Sequence, residues 1–169
     1  MTTAETLVIG EHADLLASLS KHRFFLRYTV QGLTDEQAAL TPTVSALCLG
    51  GLIKHVTHAE KGWINFVLHG AEALSGGWEQ HMGSFRMEPG ETLADLLAEY
   101  DAVAKRTDDL VSSRPDLNKS RPLPEAPWFE PGASWSLRRV LMHIIAETAQ
   151  HAGHADIIRE AMDGQKTMG

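Results

Sequence analysis

The sequence holds a single cysteine, Cys48, among 169 residues, so no disulfide can form within the chain and a reducing cytoplasm is the expected compartment. No apolar run approaches the roughly 20 residues that cross a bilayer. The first ten residues carry Glu5 and no basic residue, so they do not read as a signal peptide. Basic residues are also few: 15 Lys and Arg stand against 22 Asp and Glu, a formal net charge of −7. A nucleic-acid partner calls for a basic face that replaces counterions, and no Lys/Arg run supplies one. His-Glu-x-x-His, Gly-x-Ser-x-Gly and a phosphate-binding glycine loop are all missing, and so is the Glu-x-x-His pair of di-iron bundles. Strand-like alternation is absent over any useful length.

What is present is an ordinary globular balance, 43% apolar and 22% charged, from which residues 1–169 read as one domain. Four long helices are expected. In the first, about 9–31, Leu15, Leu16, Leu19, Leu26 and Val30 recur at three- and four-residue steps, and Gly32 stops it. Thr34 caps a short turn over 35–40. The second helix, about 47–68, begins with Gly50-Gly51, a pair that weakens a helix but permits close packing against a neighbour. The third, about 93–111, starts at a capping-box-like Thr92 and Asp95. The fourth, about 137–162, is capped by Ser134 and ends at Gly164. Two long connections join them. Residues 71–91 are glycine-rich and carry Trp78, His81, Phe85 and Arg86 over what could be a site. Residues 113–131 hold five of the seven prolines and are extended. The expected fold is therefore all-α, a four-helix bundle with two long connections.

Histidine is the unusual abundance. There are nine, and six fall within 55–69 and 143–154. On an ideal helix His151 lies about 40° from Glu147, while Val140 and Ile158 lie near 20° and Ile144 near 60°. Glu147 and His151 thus point toward the apolar arc, where a carboxylate is costly unless paired or metal-bound. His143 and His154 fall at about −40° and −20°, on the edge of that arc. On the second helix, taking His55 as zero, Phe66 falls near 20° and Leu52 near 60°, so His55 joins the apolar face, whereas His58 at about −60° lies outside it. Two imidazoles and a carboxylate suit Zn²⁺, or Ni²⁺, Co²⁺ or Fe²⁺, and three ligands leave a position open. The competing readings are a hydrogen-bonded core histidine and an i,i+4 surface contact. Cys48 lies two turns before His55 on roughly the same stripe and reads as a small buried residue rather than a nucleophile. Trp63, Phe66 and Trp135 read as core, and His12, His22, His69 and His81 as solvated or loop residues.

The run from Trp135 to Gly164, with Leu49-Gly-Gly-Leu-Ile-Lys-His55-Val-Thr-His-Ala-Glu-Lys-Gly-Trp63 and Met87-Glu-Pro-Gly-Glu-Thr-Leu93, resembles the DinB-like superfamily. Within it, the chain resembles the branch containing mycothiol-dependent S-transferases and maleylpyruvate isomerases. The resemblance implies a four-helix bundle with one divalent ion, Zn²⁺ first and Ni²⁺ next. Its ligands are usually three histidines, with Glu as the middle one in the thiol-dependent branch; carried over, they are His55, Glu147 and His151. It also implies activity on a low-molecular-weight thiol (mycothiol, bacillithiol or glutathione) and a small electrophile. The alternative is a non-catalytic metal-binding stress protein. Arg86, Arg138 and Arg159 are the candidate grips for the thiol's sugar or carboxylate. Arg138 near 180° and Arg159 near 120° from Glu147 point away from the metal on an ideal helix, toward solvent. A homodimer is expected, with Trp78, Trp128 and Phe129 offered to its interface.

Overall fold

The computed structural model describes residues 10–74, 83–113 and 115–167. Its helices are α1 (Glu11–Tyr28), α2 (Asp35–Ala39), α3 (Leu49–His69), α4 (Leu93–Ser112) and α5 (Leu137–Asp163), with a 3-10 turn at Ala71–Leu74. α1 packs on α5, α5 on α3, α3 on α4 and α4 on α1, which closes the four long helices into a ring. The all-α bundle is thus as expected. Ile9, Trp78 and His81 lie outside the described residues.

The helix ends follow local chemistry. Thr34 forms a capping box with Gln37. The Thr92 hydroxyl accepts from Asp95 N at 3.1 Å and donates to Asp95 Oδ2 at 2.7 Å. Gly164 closes α5 in the left-handed region at φ 81°, which a side chain resists. Two expectations are corrected. Ser136, not Ser134, caps α5, its Oγ accepting from Arg139 N at 3.2 Å. Ser134–Ser136 instead forms β2, antiparallel to β1 (Ser120–Pro122). Strands of three residues are too short to display an alternating pattern. The ribbon serves α3: Arg121 of β1 donates to the Val67 and Leu68 carbonyls at 2.5 and 2.8 Å. These are orphan acceptors at the end of that helix, where a cation is favoured.

The core falls into two apolar clusters stacked along the bundle. One gathers Leu26, Leu52, Ile53, Val56, Leu96, Tyr100, Ala155 and Ile158. The other gathers Leu19, Ile64, Phe66, Val111, Val140, Leu141 and Ile144. Every long helix passes from one cluster to the other, and the buried polar side chains Arg23, Glu60, Thr107, Thr148 and His151 lie on the stretches between, while His55 falls between Ile53 and Val56 of the first cluster. Such a layer persists only where its groups satisfy one another or a ligand.

Candidate metal centre

On α5 the helical repeat puts Glu147 and His151 one turn apart, and Glu147 Oε2 lies 3.5 Å from His151 Nε2. α3 brings His55 across the bundle to them. The His55 and His151 rings meet edge to face with centroids 4.8 Å apart. Each of the three residues offers one ligand atom, and these atoms all lie within 4.8 Å of one another. Two ligands bonded to one ion at about 2.1 Å are at most about 4.2 Å apart, so the trio stands almost at bonding separation. Among the described residues this is the one group of three or more His, Cys, Asp or Glu so placed. Its donor set, two imidazole nitrogens and a carboxylate oxygen, fits a divalent transition metal.

The electrostatics favour a cation. The nearby His151 imidazole holds the Glu147 carboxyl below its usual range; partial burial opposes this, and His55 and His143 add to the lowering. Glu147 is therefore an anion in a half-buried setting. His55 and His151 are buried, so water competes weakly for their lone pairs.

Around the trio stand residues that spacing could not locate. The buried Ser84 lies with its Oγ 2.9 Å from His55 Nδ1. Phe85 stacks face to face on the His55 ring at 3.8 Å. Both come from the glycine-rich connection, the segment expected to lie over a site. They come so close because α3 carries Gly51 there: a Cβ at Gly51 would sit 2.0 Å from the Phe85 carbonyl oxygen. The Gly50-Gly51 pair thus serves close packing. His154, on the edge of the arc, places Nδ1 3.3 Å from His151 Nδ1. His143, one turn before Glu147, meets Trp63 and Trp135 edge-on at 4.8 and 5.2 Å, and those two indoles stack on each other at 4.6 Å. His58 is half-buried and feels the charges of Glu99, Lys54, Lys61 and Glu91.

Cys48 is buried and caps α3, its sulfur accepting from Gly51 N at 3.4 Å. The arginines are spread apart. Arg138 pairs with Glu11 and donates to Asn118 Oδ1 at 2.6 Å. Arg159 is not on a solvated face: it is buried and donates to the Thr29 and Gln31 carbonyls at 2.8 and 3.0 Å. Arg86 is exposed, two residues beyond Ser84. His12, expected to be solvated, lies with Nε2 2.9 Å from the Pro115 carbonyl oxygen.

No helix among the described residues is long and apolar enough to cross a membrane. No curated protein sequence matches the chain. Its fold is similar to that of a conserved protein from Enterococcus faecalis, seen in a crystal structure, at TM-score 0.66 and 14% identity, covering 94% of this chain and 100% of that one. The profile of the mycothiol S-transferase family matches residues 14–164. With that match over nearly all of its length, the chain belongs to the mycothiol S-transferase family of DinB-like proteins.

Proposed function

We propose that the protein is a metal-dependent S-transferase that joins a low-molecular-weight thiol, mycothiol or a relative, to a small electrophile. The observation that carries this is the convergence of His55, Glu147 and His151 in a bundle of this family. His55, Glu147 and His151 would hold a divalent ion, Zn²⁺ before Ni²⁺ on donor type, which would supply the Lewis acidity that favours a thiolate over a thiol. In the reaction the thiol gives up its proton to solvent, and its sulfur bonds to the electrophilic carbon. The leaving group departs with the electron pair of the breaking bond. The Glu147 anion offsets the charge of the ion, and Phe85 shields one face of His55 from water. Arg138 and Arg159 already serve Glu11 and the Thr29 and Gln31 carbonyls just after α1, so Arg86 is the arginine we assign to the thiol's sugar or carboxylate.

Two further expectations belong to this reading. The work is placed in the cytoplasm, where reduction preserves the thiol. A homodimer uses the exposed Trp128; Phe129 instead packs on Trp63 and Trp135. A monomer mass in light scattering at micromolar concentration would remove the dimer.

The test is to incubate zinc-loaded protein with mycothiol, bacillithiol or glutathione and monochlorobimane. A rate above background that vanishes in Glu147→Ala is expected. No acceleration with any of the three thiols, while zinc stays bound, sinks the transferase and leaves a non-catalytic metal-binding stress protein.

A further inference from the structure

The segment 83–91 is fastened to α3 at several independent points. Gly50 and Gly51 admit it: a Cβ at Gly50 would sit 2.2 Å from Met87 Sδ, and one at Gly51 2.0 Å from Phe85 O. The Cys48 thiol donates to the Phe85 carbonyl at 3.8 Å. Lys54 Nζ donates to the Arg86 carbonyl at 3.2 Å and to Glu91 Oε2 at 2.9 Å. Glu91 Oε2 in turn accepts from Glu88 N at 2.7 Å. The ties on the α3 side come from its N-cap Cys48 and its first two turns, and His55 follows directly. What they present to His55 is a buried hydroxyl, Ser84 Oγ at 2.9 Å from Nδ1, and a ring stacked on the imidazole face.

A neutral imidazole carries one N–H, and a ring that ligates a metal through one nitrogen holds its proton on the other. Ser84 Oγ stands at Nδ1 as the acceptor for that proton. We infer that Ser84 is a positioning residue: it holds His55 in the Nδ1–H tautomer and turns Nε2 to the metal, with Phe85 fixing the ring plane. The inference rests on the metal-centre reading above. His151 receives the matching service from His154 on its own helix, whereas for His55 the partner lies 29 residues further along the chain. Removing such an outer partner costs metal affinity about 10–100-fold.

The full chain is loaded with zinc, labelled with ¹⁵N-histidine, and compared with Ser84→Ala and Ser84→Thr after circular dichroism has matched their helical content. Long-range ¹H–¹⁵N correlation is expected to show His55 bound to zinc through Nε2 and protonated at Nδ1. Competition against a chelator is expected to show zinc held about 10–100-fold more weakly by Ser84→Ala and regained in Ser84→Thr, which keeps the hydroxyl. Coordination through Nδ1 overturns the inference while leaving the metal centre standing. Equal zinc affinity in wild type and Ser84→Ala, or equal loss in both variants, does the same. A wild type that binds no zinc at all overturns both the inference and the metal-centre reading.

Discussion

Arg23 of α1 and Glu60 of α3 form an ion pair across the bundle diagonal, with Glu60 fully shielded from water. Arg23 Nε donates to Glu60 Oε2 at 3.2 Å and its NH2 group to Oε1. From α4, Thr107 Oγ1 donates to Oε1 at 2.5 Å, and Asp108 accepts from Arg23 at 2.8 Å. Glu60 lies five residues after His55, about 140° around α3, so the candidate metal ligand and the ion pair occupy different faces of one helix. Removing one partner of a buried pair strands the other charge, which costs about 3–5 kcal/mol. Glu60→Ala is expected near the lower end, because the half-exposed Asp108 still serves Arg23. Urea unfolding reads this out. A loss within the error of the extrapolation would show that the pair contributes little.

Metal stoichiometry follows from the trio. Protein purified without chelators is expected to carry about one divalent ion per chain, and His55→Ala/His151→Ala to carry none. Because the three candidate ligands come from α3 and α5, a bound ion would also hold two helices together. At a hundredfold excess over the dissociation constant, zinc should stabilise the wild type by about 2.7 kcal/mol and the double variant not at all. Equal metal in both proteins by elemental analysis removes the assignment.

Acid should weaken the fold. Burial pulls the pKa of His143 down, against Glu147, which raises it, and with Arg139, which lowers it further. Burial likewise lowers His58, with Glu99 and Glu91 raising it and Lys54 and Lys61 lowering it. When the folded pKa is below the unfolded value of about 6.5, the unfolded chain binds more protons in the window beneath that value, so stability falls as pH drops through it. His58→Gln and His143→Gln should each flatten the slope of stability against pH between about 6.5 and 5, measured with chelator present. Unchanged slopes in both variants would rule these histidines out as its source.

Gly51 and Gly153 should respond oppositely to alanine. Gly51→Ala forces the Phe85 backbone away from α3; overpacking of this kind costs about 1–3 kcal/mol. Zinc affinity should fall with it as Ser84 and Phe85 move. At Gly153 a Cβ meets nothing within 4 Å, so Gly153→Ala should stabilise α5 by up to about 1 kcal/mol through helix propensity alone. A stabilised Gly51→Ala protein would contradict the packing described for the 83–87 segment.

The sequence by itself determined what depends on short-range periodicity. Glu147 and His151 sit four residues apart, so any helix there sets them on one face, and the apolar residues of α5 say which face is inward. The same reasoning turned His55 inward on α3. Thr34, Thr92 and Gly164 marked helix ends because caps are local chemistry. Only the tertiary structure decided contacts between residues far apart in the chain. Ser84 has no periodic relation to His55, and their hydrogen bond exists because Gly51 lets a connection lie flat on α3. The angle of Arg159 on an ideal wheel points it toward solvent, yet the turn after α1 supplies carbonyls 128 and 130 residues away that hold it in a buried place. Ser134 read as a helix cap until Ser120–Pro122 claimed its strand as a partner. In each case the residue type permitted several environments, and the neighbour that selected one was brought by the packing of the helices.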